Sequence, residues 1–70
     1  MLLVEARGFV KLANALGLDA ELHSFECVYT FHDEHTHTEH AVRVHVSETV
    51  DHLLPSVSMA VHYMADHVVK

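Results

Sequence analysis

The sequence holds one cysteine (Cys27), one proline (Pro55), two glycines and no tryptophan. A single cysteine excludes an intramolecular disulfide and any zinc ribbon built on paired thiols. Basic residues are scarce as well: four against ten acidic ones, a formal charge of −6 with the histidines neutral. A nucleic-acid binder needs clustered Lys and Arg to displace counterions, so no nucleic-acid partner is expected. Long apolar runs are missing. Glu5, Arg7 and Lys11 interrupt the apolar start, and nothing approaches the roughly 20 apolar residues that span a bilayer. No membrane partner is expected. The lone thiol and the lack of a basic-led signal segment point to the cytoplasm.

Catalytic signatures are absent too. There is no nucleophile elbow, phosphate loop or catalytic carboxylate pair. A chain of 70 residues leaves little volume for a pocket of roughly 300 Å³ or more. The expectation is a protein that is not an enzyme and carries no cofactor. Its length makes a single domain that buries only roughly 60% of its unfolded surface, so its stability is marginal without a metal, a disulfide or oligomerisation.

Histidine, by contrast, is abundant. Nine are present, and protonating all of them takes the formal charge from −6 to +3. Such acid sensitivity follows from composition alone.

The apolar periodicity divides the chain. Leu2, Ala6, Phe9, Ala13 and Leu16 recur at helical spacing, predicting a helix over 2–16 that ends at Gly17. Gly8 inside it costs roughly 1 kcal/mol relative to Ala unless another backbone packs there. The period then becomes two. Phe25, Cys27, Tyr29 and Phe31 alternate with polar residues, giving a strand over 22–32, and Val42, Val44 and Val46 give another over 40–47. A loop over 33–39 joins them. Pairing Tyr29 with Val42, Cys27 with Val44 and Phe25 with Val46 puts one apolar face on the core. The same register opposes Glu26 to His45 and His32 to Glu39, favourable pairs on the other face. Cys27, between two aromatics on the apolar face, reads as core packing rather than a nucleophile. A helical turn at 50–54 and a helix over 55–69 follow, with Val50, Leu54, Val57, Val61, Met64 and Val68 as its stripe.

The expected fold is therefore α+β, a single αββα domain: an antiparallel hairpin flanked by two amphipathic helices. A lone hairpin is narrower than two helices and leaves both edges unpaired. A homodimer follows, with a joined four-stranded sheet or a helical interface.

Two clusters carry the chemistry. The first is the run His32-Asp33-Glu34-His35-Thr36-His37-Thr38-Glu39-His40, whose imidazoles and carboxylates suit Zn, Ni or Cu. Alternation allows His32, His37 and Glu39 to converge as a half-site, with Zn or Ni as the alternative cofactor; the competing reading is a solvated polar loop. The second is apolar: Val28, Ala41 and the Met59–Tyr63 side of the last helix fall outside the single core, and Met and Tyr favour interfaces. Val28, Met59 and Tyr63 are the candidate interface residues. His62 and Asp66, one helical turn apart, form either an exposed pair or a general-base arrangement.

The leading expectation is a small accessory or regulatory protein that binds another protein, of a size common among phage and mobile-element genes. A transition-metal sensor or carrier is the alternative, and a non-catalytic subunit of a larger enzyme is the third.

Overall fold

A computed structural model of the chain describes residues 1–29 and 35–68. It is a small α+β unit in the order α1 (Leu3–Ala15), β1 (Asp19–Tyr29), β2 (His35–His45), β3 (Asp51–Leu54) and α2 (Val57–Val68). The strands form one antiparallel sheet in the order β1-β2-β3, and both helices pack on the same face of it.

α1 begins where the Glu5 carboxylate accepts the Leu2 amide at 2.9 Å, satisfying a donor at the positive end of the helix. It ends as the sequence suggests. Gly17 takes φ +87°, the Leu18 amide donates to the Ala13 carbonyl at 3.0 Å and the Gly17 amide to Asn14 at 3.1 Å. That doubled bond closes the helix and turns the chain directly into β1. Asn14 then ties the two elements together. Its Oδ1 accepts the Ala20 amide at 3.0 Å and its Nδ2 donates to the Ala20 carbonyl at 3.2 Å. The backbone groups of Ala20 therefore face the outer edge of the sheet, away from β2.

The register differs from the expected one. Leu22 lies opposite Val42 and Ala20 opposite Val44, while Phe25 meets Glu39 and Cys27 meets His37. Phe25 is thus displaced by seven residues from its expected partner, Val46. An odd shift exchanges the faces of one strand relative to the other. The cause is the tight turn at Gly17. It starts β1 at Asp19, so Ala20 and Leu22 reach Val44 and Val42 before the aromatic run begins. Val42 and Val44 are in the core as expected; Phe25 and half-buried Cys27 lie on the face turned away from the helices. Val46 is exposed, and Ala41, expected outside, is fully buried. Residues 35–39 of the expected loop belong instead to β2, which begins at His35; residues 30–34 lie outside the described residues.

Residues 50–54 do not form the expected helical turn. The Val46 and Ser47 amides both donate to the Val50 carbonyl, at 2.9 and 3.2 Å, and the chain reverses so that Asp51–Leu54 pairs with residues 42–45. Four residues are too few for helical and strand periods to be told apart. β3 stops at Leu54, and Pro55 follows it at the sheet edge, where a missing outward donor is tolerated. The Pro55 carbonyl accepts the Met1 ammonium at 3.1 Å, which also donates to the His40 carbonyl at 3.1 Å. Ser56 caps α2, its Oγ accepting the Met59 amide at 3.2 Å. The buried face of α2 is Ala60 and Met64. Val57, Val61 and Val68, expected on the inner stripe, are exposed.

The core is thin. Among the described residues, five of the nine buried hydrophobic residues are alanines, and the largest fully buried side chains are Val42 and Val44.

Candidate functional site

β3 is the sheet edge beneath α2, and between them runs a groove of about 410 Å³. α2 supplies Met59, His62, Tyr63 and Asp66, which fall at i, i+3, i+4 and i+7 and so share one stripe of the helix. β3 supplies His52, Leu53 and Leu54. Tyr63 is held by two rings. His52 lies 5.6 Å away at 54°, and His67 lies 4.7 Å away edge-on. Met59 is 48% exposed, an apolar side chain at the mouth of a slot whose lining carries one carboxylate and no Lys or Arg. Of the three interface residues expected from the sequence, the fold unites Met59 and Tyr63 here. Val28 lies apart, exposed near the far end of β1. His62 and Asp66 join the groove rather than forming a separate pair.

Two of the three residues expected to form a metal half-site lie together. His37 Nε2 and Glu39 Oε1 lie 2.5 Å apart, neighbours on one face of β2. The hydrogen bond from His37 holds the Glu39 carboxyl below its ordinary value, and the Met1 ammonium, 3.6 Å from Oε2, adds to the effect. His32, the third expected ligand, lies outside the described residues. Among the described residues no group of three or more His, Cys, Asp or Glu side chains is placed to hold a metal ion.

A third constellation was not anticipated. His45 on β2 lies between carboxylates of both neighbouring strands, with Nδ1 2.7 Å from Asp51 and Nε2 3.2 Å from Glu21. Arg43 approaches the same Glu21 oxygen at 3.7 Å. With an acceptor on each ring nitrogen, the imidazolium donating from both is the favoured form. The bond to Asp51 accordingly raises the His45 pKa above its ordinary value, assisted by the charge of Glu21. The signal for this clasp was the His45–Asp51 spacing around Ser47-Glu48-Thr49. It becomes legible only once 51–54 is taken as a strand, because the turn then sets Asp51 opposite His45.

No helix among the described residues is long and apolar enough to cross a membrane. Comparison of the chain with protein-family models, with curated proteins and with solved structures returns no match.

Proposed function

We propose that this chain is a non-enzymatic accessory or regulatory protein that acts by binding another protein, and that it does so as a homodimer. One observation carries the reading: the balance of apolar groups. Among the described residues, four side chains larger than alanine are buried in the core, whereas thirteen large hydrophobic residues are exposed. The accessible surface is 5053 Å², against ~4,400 Å² for a compact monomer of this mass. Single exposed apolar residues are ordinary, but an excess over the core itself favours covering by a partner.

The groove between β3 and α2 is the surface assigned to the other protein. It offers an apolar mouth at Met59, an oriented aromatic ring at Tyr63 and a carboxylate at Asp66, the combination from which interface hot spots are built. The test is affinity capture from the source cell with wild-type protein and three variants. Met59→Glu and Tyr63→Ala should each weaken one dominant partner by roughly 30-fold, the effect of losing a hot spot of about 2 kcal/mol. His37→Ala should leave it bound. A partner indifferent to Met59 and Tyr63 would refute the assignment.

The His37–Glu39 contact favours a second reading, a Zn, Ni or Cu carrier or sensor in which His32 completes the half-site. Untagged protein would then copurify with stoichiometric metal that His37→Ala removes, and metal-free protein at purification would end that reading.

A further inference from the structure

We infer that a second copy of this chain pairs with the open edge of β1, antiparallel and with its two-fold axis at Phe25; the inference rests on the homodimer reading above. β1 is an edge strand in the sheet order β1-β2-β3. Asn14 fixes the phase of that edge by holding both backbone groups of Ala20. In an antiparallel sheet successive residues point their amide and carbonyl alternately to the two sides. If Ala20 faces outward, so do Leu22, Ser24, Glu26 and Val28, while the intervening residues bond to β2. Asn14 also ends the free edge, because Ala20 is already satisfied. Within β1, which is described to Tyr29, the available segment is therefore 22–28, and its midpoint is Phe25.

A two-fold axis there is self-consistent. Outward-facing residues meet outward-facing residues, Leu22 against Val28 of the second copy and Ser24 against Glu26, so every pair can exchange both backbone bonds. Displacing the axis to Ser24 would set Ala20 against Val28 and lose those bonds to Asn14, and displacing it to Glu26 would set two Glu26 carboxylates directly opposite each other. The side chains agree with the backbone. Leu22 and Val28 are 37% and 55% exposed in the single chain, and this register covers each with the other. On the opposite face, His23 stacks on Phe25 with ring centroids 5.8 Å apart. Facing phenylalanines across the axis would join the two stacks into one row of four rings. The three-stranded sheets become a six-stranded one, which is wide enough to carry four helices.

The register has a chemical test. His23 and Cys27 of the second copy would be directly opposite in a non-hydrogen-bonded pair, with Cα atoms about 4.5 Å apart, within the span of a disulfide. His23→Cys protein, treated with oxidised glutathione as the electron acceptor, should convert to a covalent dimer with two disulfides. Wild type and Ser24→Cys should not. Phe25→Cys combined with Cys27→Ser provides a second, single-disulfide version should His23→Cys fail to fold. Amide exchange of Leu22, Ser24, Glu26 and Val28 should also slow with protein concentration, while His23, Phe25 and Cys27 are protected throughout. A stable monomer by light scattering at all concentrations would overturn the dimer itself. A stable dimer that neither crosslinks nor protects the alternate amides would overturn only this interface.

Discussion

The assignment of faces in the sheet can be decided by adding single hydroxyl groups. Val42 and Val44 are 0% and 1% exposed, flanked across the sheet by Leu22 and Leu54 and by Ala20 and His52 respectively. Val42→Thr keeps the shape of the side chain but buries a hydroxyl in an apolar cluster, which costs about 1–3 kcal/mol. Phe25→Tyr adds the same group on the face turned from the helices, where water reaches it, and should cost no more than about 0.5 kcal/mol. A domain of this size is worth roughly 4–10 kcal/mol in total, so the first change is a large fraction of its stability. With a urea slope near 1 kcal/mol/M, Val42→Thr should lower the unfolding midpoint by roughly 1–3 M. Urea titration followed by circular dichroism at low micromolar concentration, with Val46→Thr as an exposed control, reads this directly. The opposite order, Phe25→Tyr strongly destabilising and Val42→Thr neutral, would restore the register in which Phe25 faces Val46 and refute the fold described above.

Four further outcomes are expected. The His45 pKa is raised in the folded state, so the clasp contributes stability in full below the unfolded value of roughly 6.5 and loses it as pH rises through the folded value. Urea midpoints measured from pH 6 to 9 should fall across that window in wild type but not in His45→Gln; for Glu39, lowered by His37, the loss should come instead as pH falls below the ordinary carboxyl value. Asn14→Ala removes two hydrogen bonds to Ala20 and should cost about 1–3 kcal/mol in the same titration. Gly8 has open space where a Cβ would stand, so Gly8→Ala should stabilise the protein by about 0.5–1 kcal/mol; a loss in thermal midpoint instead would mean that another backbone covers α1 there.

Legibility from the sequence depended on how many physical signals agreed at each place. α1 was readable because its apolar stripe, Glu5 near its start and Gly17 at its end all mark the same helix. Val42 and Val44 were readable as core because, with Val46, they form an unbroken apolar alternation against Arg43, His45 and Ser47. The phase of β1 was not, since two alternations compete along one strand: Ala20 and Leu22 on one face, Phe25 and Cys27 on the other. The larger side chains won the reading and the smaller ones won the core, because the Gly17 turn delivers Ala20 to the sheet first. On α2 the same thing happened. The valine stripe is more apolar than Ala60, but Ala60 permits the closer approach, and the valines stay outside. Of the candidate site, Met59 and Tyr63 were found from their type and helical spacing. The groove that unites them was hidden with β3, whose four residues carry too little period to declare a strand.

Pro55 sets a limit on growth. A sheet with two open edges can add strands without end, and pairing through β1 consumes only one edge of each copy. The six-stranded dimer would still present a β3 edge at either side, the starting point for a filament. Those edges are four residues long, and the position beyond Leu54 has a ring where the next outward donor would be. A further copy would find backbone bonding at Asp51 and Leu53 alone, too little to hold a domain, while an extended segment of another protein needs no more to find its register. The same proline would thus stop self-assembly at two copies and leave the last edge for a different chain.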